Sequence, residues 1–146
     1  MKTLAAAAAL FVFAALPGVA QDAAAPAWRA KNASEIDWKA SGSLPPGAEY
    51  HLLYENPATH AVQTLVRMPK GYSLPKHSHE HDETILVLRG KVILDFAGKS
   101  EALTAGGYAV IPAGTEFALK AAGFGGADFL AAFAGPFDMK GLEKPR

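Results

Sequence analysis

The chain has 146 residues, 50% of them hydrophobic, so it is long and apolar enough to bury the core of a single domain. Its 14 basic and 14 acidic residues cancel, which excludes the overall charge that attracts nucleic acid or anionic lipid. It contains no cysteine, which excludes disulfides and thiolate zinc sites and leaves nitrogen and oxygen ligands for any metal.

The first 20 residues have the features of a secretory signal peptide. A short basic start precedes an apolar run over residues 4–16, which is too short to span a bilayer, and residues 18–20 are small, as signal peptidase requires. We expect cleavage after Ala20 and export, most simply to a bacterial periplasm, with no membrane association afterwards. The alternative is a membrane anchor or a buried N-terminal helix, against which the helix-breaking Pro17-Gly18 argues.

The rest of the chain divides into a flexible leader over residues 21–35, a folded domain over residues 36–140 and a polar tail over residues 141–146. In the domain no helical period lasts three turns, and short apolar or alternating segments are separated by glycine and proline. This pattern predicts an all-β sandwich or barrel of antiparallel strands with little helix. The predicted strands are residues 49–54, 63–68, 73–79, 84–89, 91–96, 108–111, 116–120 and 129–133.

Two of these strands are predicted to meet at a tight turn, Arg89-Gly90-Lys91. The strand before that turn contains the run Thr84-Ile85-Leu86-Val87-Leu88. Its nearly continuous apolar character predicts burial on both faces of the sheet.

Three of the five histidines lie within five residues of one another, in the segment His77-Ser78-His79-Glu80-His81. Successive side chains alternate along a strand, so His77 and His79 share a face. The polar segment 80–82 is short enough to be a hairpin loop, which would return Glu83 opposite the histidine pair. Two imidazoles and one carboxylate would then converge on one point, a donor set suited to a metal ion.

The spacing of these residues and their neighbouring glycines resembles that of a known protein family. Gly71, His77-x-His79, Glu83 and Gly90 have the spacing of the first conserved motif of the cupin superfamily, and Gly106, Pro112-x-Gly114 and Phe117 resemble the second. The resemblance extends over residues 44–137 and is closest to small secreted single-domain cupins, of the type-2, RmlC-like kind. It implies a double-stranded β-helix, or jelly-roll, barrel in which His77, His79 and Glu83 bind a divalent metal ion.

The second motif departs from the family at its last ligand, because Phe117 stands where the family usually has histidine. His81 could supply a fourth ligand, but a hairpin would turn it outward into a solvated loop tip, which we favour. His51 and His60 are backup candidates for the same position. Phe117 is either core filling or, with Tyr72 and Tyr108 near the barrel mouth, part of a pocket wall.

The metal is not specified by these ligands. Two histidines and one carboxylate suit non-haem iron, zinc, manganese, nickel, copper or cobalt. The apolar Phe117 beside the ligands and the lack of a basic cluster favour a small apolar organic molecule over a phosphorylated one.

The resulting hypothesis is an exported, metal-dependent oxygenase or dioxygenase of a small apolar molecule. The alternative is a non-enzymatic cupin that binds a metal or small ligand, or acts as a sensor, in the periplasm. An isomerase or lyase is a third option that lacks a convincing acid-base pair. The expected partner is a small molecule, with no nucleic acid, and exposed apolar strands would allow a homodimer.

Overall fold

The computed structural model describes residues 28–141, so the predicted signal peptide lies outside the described residues, as does most of the polar tail. Every element named below lies in one compact unit that begins at Asn32. A single-turn 3₁₀ helix at Ala33–Glu35 precedes nine strands. They are β1 (Lys39–Ala40), β2 (Glu49–Glu55), β3 (Val62–Met68), β4 (Ser73–His77), β5 (Glu83–Phe96), β6 (Lys99–Thr104), β7 (Tyr108–Ile111), β8 (Phe117–Ala121) and β9 (Ala127–Phe133).

All the strand pairs are antiparallel, and they build two layers that share β5. One layer has the order β1-β2-β3-β9-β5-β7, and the other has the order β4-β8-β5-β6. The sheet therefore curls over itself and forms the jelly-roll barrel that the sequence predicts. Among the described residues, no helix is long and apolar enough to cross a membrane.

The predicted turn at Gly90 is wrong, because β5 runs through it as one strand of 14 residues. The first half of β5 pairs with β7 and β9, and the second half pairs with β6 and β8. Gly90 lies where the strand passes from one layer to the other. Its φ of +78° and a register shift between Val87 and Arg89 mark a bend in the strand.

Gly90→Ala should therefore be severely destabilising. A Cβ there would overlap the carbonyl oxygen of Gly126, and the positive φ adds strain. We expect a loss of at least about 3 kcal/mol in the free energy of unfolding. Gly98→Ala is the matched control, since Gly98 has a similar φ of +76° but open space around it, and it should cost about 1 kcal/mol. If urea unfolding shows the same loss of stability for both variants, the close approach of Gly90 to the carbonyl oxygen of Gly126 is contradicted.

The other strand predictions differ from the structure mainly at edges. β6 was not predicted, because nearly all of its residues are exposed and it lacks apolar alternation. Its pairing with β5 makes it a strand.

The predicted burial of Thr84–Leu88 on both faces is wrong. Ile85 and Val87 are buried, but Leu88 is 49% exposed. Tyr108 and Val110 are also exposed, and the predicted homodimer remains a prediction.

The core lies between the two layers, where alternate side chains of β3, β5, β8 and β9 point inward. Its largest fully buried side chains are Phe117, Met68, Ile85, Leu94, Val87 and Val92. This interior is apolar except for a small group of buried polar residues that includes His77, His79 and Glu83.

Outside the core, Asp128 on β9 lies between arginines on both neighbouring strands. Its carboxylate accepts hydrogen bonds from Arg89 at 3.0 and 2.9 Å and from Arg67 at 3.2 and 3.3 Å. Partial burial by itself would raise the pKa of Asp128, but hydrogen bonds and charge from Arg89 and Arg67 outweigh it and hold the pKa below its ordinary 3.8.

Asp128→Asn should cost about 1–2 kcal/mol at pH 7. Because the folded-state pKa is lowered, this stabilisation is complete above the ordinary pKa of 3.8 and disappears as pH falls through the folded pKa. The stabilities of wild type and variant should therefore converge in acid. Glu116→Gln is the control, since its ion pair with Lys76 is exposed and should contribute less than about 1 kcal/mol. A constant difference between wild type and Asp128→Asn from pH 7 to pH 2 would refute this assignment.

Candidate metal centre

The barrel places three polar side chains from one stretch of sequence around a small interior cavity. His77 ends β4, Glu83 begins β5, and His79 lies between the two strands. Their exposed fractions are 3%, 5% and 4%, respectively. The cavity has a volume of about 40 Å³, and its other walls are apolar apart from Thr64. They are formed by Leu44, Thr64, Val66, Met68, Leu74, Phe117, Leu119, Phe129, Ala131, Phe133, Phe137 and Met139.

The three side chains do converge, although not through the predicted hairpin. β4 pairs with β8, whereas Glu83 at the start of β5 pairs with Ile111 and Phe133 in the other layer. Glu83 therefore faces the histidines across the barrel interior, and no ladder joins β4 to β5. The connection between them is held by Asp82, whose carboxylate and carbonyl accept backbone hydrogen bonds from Ala113 and Ala134 at 2.8 and 3.0 Å.

Both imidazoles are held with the same nitrogen facing away from the cavity. Nδ1 of His77 lies 2.7 Å from the carbonyl oxygen of Pro75, and Nδ1 of His79 contacts the carbonyl oxygen of Asp138. A carbonyl oxygen can only accept, so each Nδ1 carries the proton and donates it. In the neutral ring Nε2 is then the nitrogen with a free lone pair, as a metal ligand requires.

Burial keeps both imidazoles neutral. The apolar surroundings lower the pKa of His77 to about 4, against a smaller upward effect of its bond to Pro75. Burial also lowers the pKa of His79, despite the opposing hydrogen bond to Asp138. Near pH 7 neither ring needs to lose a proton to bind a cation.

Glu83 is the least satisfied group of the site. Its Oε2 is buried and has no hydrogen-bond partner, and burial raises its pKa to about 8. Oε2 lies 3.4 Å from Nε2 of His79, within the range of an ion pair. The pKa of His79 is lowered and that of Glu83 is raised, so burial favours a neutral imidazole and a neutral carboxyl over an ion pair. An unpaired carboxyl oxygen beside imidazole lone pairs is a costly arrangement that a cation would relieve.

The donor chemistry therefore fits a divalent metal, but the ligands are not fully assembled. Across residues 28–141, no three His, Cys, Asp or Glu side chains already stand as a complete ligand set. The rings of His77 and His79 have centroids 5.1 Å apart at an interplanar angle of 85°. The three side chains would have to draw together around an ion.

Phe117 occupies the position directly beside the histidines. It is the register partner of His77 across β4 and β8, and the centroids of the two rings are 4.4 Å apart. With an exposed fraction of 1%, it fills the core and also lines the cavity. Its other side lines an outer apolar cavity of about 340 Å³.

The remaining predicted residues lie elsewhere. His81 is half-buried against Gly135 and does not line the cavity, so it is not placed as a fourth ligand. Tyr72 packs on the loop before β2 and donates to the carbonyl of Pro45 at 2.7 Å, and Tyr108 lines the outer cavity instead. The backup candidates also lie away from the cavity: His51 contacts the carbonyl of Asp37, and His60 pairs with Glu55.

Residues 137–139 also contribute to the site, although the sequence did not predict this. Phe137 and Met139 line the cavity, and the carbonyl oxygen of Asp138 accepts a hydrogen bond from Nδ1 of His79. Since a backbone acceptor has no residue-type requirement, the sequence carries no signal for that bond.

Comparisons with known proteins agree with this fold. A family model described as a cupin domain matches residues 64–133. The polyketide cyclase RemF from Streptomyces resistomycificus is 18% identical, over 82% of this chain and 88% of that chain, with a TM-score of 0.68. A proposed acetylacetone dioxygenase from Methylibium petroleiphilum PM1 is 20% identical, over 80% and 82%, with a TM-score of 0.64.

A third structure is Rhodobacter sphaeroides SigE in complex with the anti-sigma ChrR. It is 22% identical, over 70% of this chain and 52% of that chain, with a TM-score of 0.57. At these low identities the likeness shows the shared fold alone. No curated protein sequence matches the chain.

Proposed function

The chain belongs to the cupin superfamily, and on this basis we propose that it is an exported cupin in which His77, His79 and Glu83 bind one divalent metal ion. The unpartnered Oε2 of Glu83 is the observation that carries this proposal. A buried carboxyl oxygen without a hydrogen-bond partner, beside the imidazole of His79 in an apolar interior, is energetically costly, and a bound cation would remove that cost. Export rests on the first 20 residues, and detection of Gln21 as the mature N-terminus in a periplasmic fraction would test it.

We further propose that the centre oxidises or dioxygenates a small apolar organic molecule. A bound divalent metal supplies Lewis-acid or redox chemistry at coordination positions that the protein leaves open. The protein contributes a dry environment, in which Phe117, Phe133 and Phe137 surround the imidazole of His79 at ring-centroid distances of 6.0, 5.0 and 5.9 Å. Such walls exclude water and hold an apolar molecule better than a charged one.

The cavity itself, at about 40 Å³, is too small to hold an organic molecule. The substrate would therefore dock in a groove next to it. A groove of about 270 Å³ shares Leu44, Thr64, Val66 and Phe137 with the cavity. Its outer wall includes Leu52, which is 46% exposed. Leu44 and Phe137 line both the groove and the cavity, so movement of these side chains would connect the two.

Metal analysis tests the proposal first. We expect about one metal ion per wild-type chain purified from its native compartment, and none in His77→Ala. His51→Ala is the matched control and should retain the metal, since that half-exposed imidazole contacts the backbone carbonyl of Asp37 and does not line the cavity. Absence of stoichiometric metal from the wild type would overturn the proposal.

Oxygen consumption with a panel of uncharged aromatic compounds then tests the enzymatic part. A responding compound should bind more weakly to Leu52→Lys, which places a charge in the groove. Leu88→Lys is the control at a similarly exposed leucine, 49% exposed, that does not line the groove. A flat response to the whole panel by metal-loaded protein would favour the second candidate.

That second candidate is a non-enzymatic cupin that senses or stores a metal or small ligand. The size of the cavity favours it, since about 40 Å³ accommodates an ion and little else.

A further inference from the structure

The segment Phe137–Lys140, which we call the C-terminal strap, crosses the connection that contains His79. Ser78 and Lys140 form an isolated antiparallel bridge, in which each backbone N–H donates to the other residue's carbonyl, at 3.0 and 2.9 Å. The strap is therefore tied to the chain between the two histidines. It is a short addition to the barrel and belongs to none of the nine strands.

The strap makes direct contacts with His79 and with the residue that follows it. The carbonyl oxygen of Asp138 accepts a hydrogen bond from the Nδ1–H of His79. Both carboxylate oxygens of Asp138 accept the backbone N–H of Glu80, at 3.0 and 3.1 Å. Phe137 packs on the imidazole, and Met139 reaches the wall of the cavity. Asp138 thus holds both the ring and the backbone next to it.

The two histidines differ in what orients them. The Nδ1–H of His77 donates a hydrogen bond to the carbonyl oxygen of Pro75, two residues away in its own strand. The Nδ1–H of His79 donates to the carbonyl oxygen of Asp138, 59 residues further along the chain. Loosening the strap should therefore disturb His79 and leave His77 unaffected, which supplies a control within the same molecule.

We infer that Asp138 is a positioning residue, and that the strap selects the Nδ1–H tautomer and the orientation in which His79 presents Nε2 to the metal. This inference rests on the proposed function. The hydrogen bond made by the second nitrogen of a metal-binding imidazole fixes its tautomer and ring orientation, and loss of such a partner typically weakens metal binding 10- to 100-fold. The ion pair between Lys140 and Glu80 at the strap's end is exposed and contributes little.

The test compares Asp138→Ala with Asp138→Asn, whose side-chain oxygen can still accept the Glu80 N–H. In metal-free Asp138→Ala, side-chain ¹⁵N NMR at pH 7 should show His79 changing from the single Nδ1–H tautomer to a mixture, with His77 unchanged. Its affinity for Co²⁺ should fall about 10- to 100-fold, while the thermal midpoint of the metal-free protein falls by only a few degrees. Asp138→Asn should remain near wild type in all three measurements.

Lys140→Ala is the matched control in the same strap, and it should leave the tautomer and the Co²⁺ affinity unchanged. If Asp138→Ala fails to fold, Lys140→Pro is a second variant that loosens the strap. It removes the backbone N–H that donates to the carbonyl of Ser78. An unchanged His79 tautomer and Co²⁺ affinity in the loosened strap would overturn the inference. Failure of the wild type to bind Co²⁺ would reject the proposed metal function, and the tautomer measurement would still decide whether the strap orients His79.

Discussion

Glu83→Met is expected to abolish stoichiometric metal binding and, at the same time, to stabilise the metal-free protein by about 1–3 kcal/mol. The wild-type carboxyl has an oxygen that is buried without a hydrogen-bond partner, in a cavity whose other walls are largely apolar. Methionine has a similar length, adapts to irregular spaces and carries no group that requires a partner. Loss of metal binding together with a gain in metal-free stability is the result expected of a residue that binds the metal but destabilises the metal-free fold.

Chemical unfolding of metal-free protein and titration with Co²⁺ measure the two effects separately. Wild type should gain stability on adding Co²⁺, and Glu83→Met should gain none. The matched control is Glu116→Met, a surface glutamate whose side chain is 65% exposed. It should change stability by less than about 0.5 kcal/mol and retain the metal response. A marked loss of metal-free stability in Glu83→Met would show that Glu83 has a structural partner.

Phe117→His is expected to raise the affinity for a divalent metal by about tenfold or more, equivalent to about 1.4 kcal/mol. Phe117 and His77 are register partners on neighbouring strands, so their side chains project on the same side of the sheet. The centroids of their rings are only 4.4 Å apart. An imidazole at position 117 would therefore adjoin the other donors and complete the second motif of the family.

The same substitution should lower the stability of the metal-free protein by about 2–4 kcal/mol, because it exchanges a fully buried phenyl ring for a smaller polar one. Phe117→Leu separates the two effects, since it removes volume without adding a donor. Its stability should also fall, whereas its Co²⁺ affinity should remain at the wild-type value. Equal affinities for Phe117→His and Phe117→Leu would mean that position 117 does not reach the metal.

Much of the fold and the site follows from local pattern. Alternation in β3 and β9 is strong because one face of each strand packs on the core, and these strands were predicted within two residues of their bounds. The shared face of His77 and His79 follows from the two-residue period of an extended chain, and both side chains are buried. Motif spacing then predicted that Glu83 would join them.

Other features depend on which distant residues meet. Gly90 was predicted as a turn, because glycine in isolation favours one. The continuity of β5 instead depends on β8 and β9 pairing on either side of the bend. The strand β6 has no apolar pattern of its own and exists through its ladder to β5.

The sequence by itself determined most of the strands, the superfamily and the three candidate ligands, because side-chain alternation and motif spacing are properties of neighbouring residues. Tertiary structure decided that Glu83 meets His79 across the barrel, that Phe117 lines a cavity of only about 40 Å³, and that the carbonyl of Asp138 accepts a hydrogen bond from His79. These results depend on how two sheets pack and on a backbone carbonyl 59 residues from its donor. Local periodicity determines which way a side chain points, but only long-range packing determines what it contacts there.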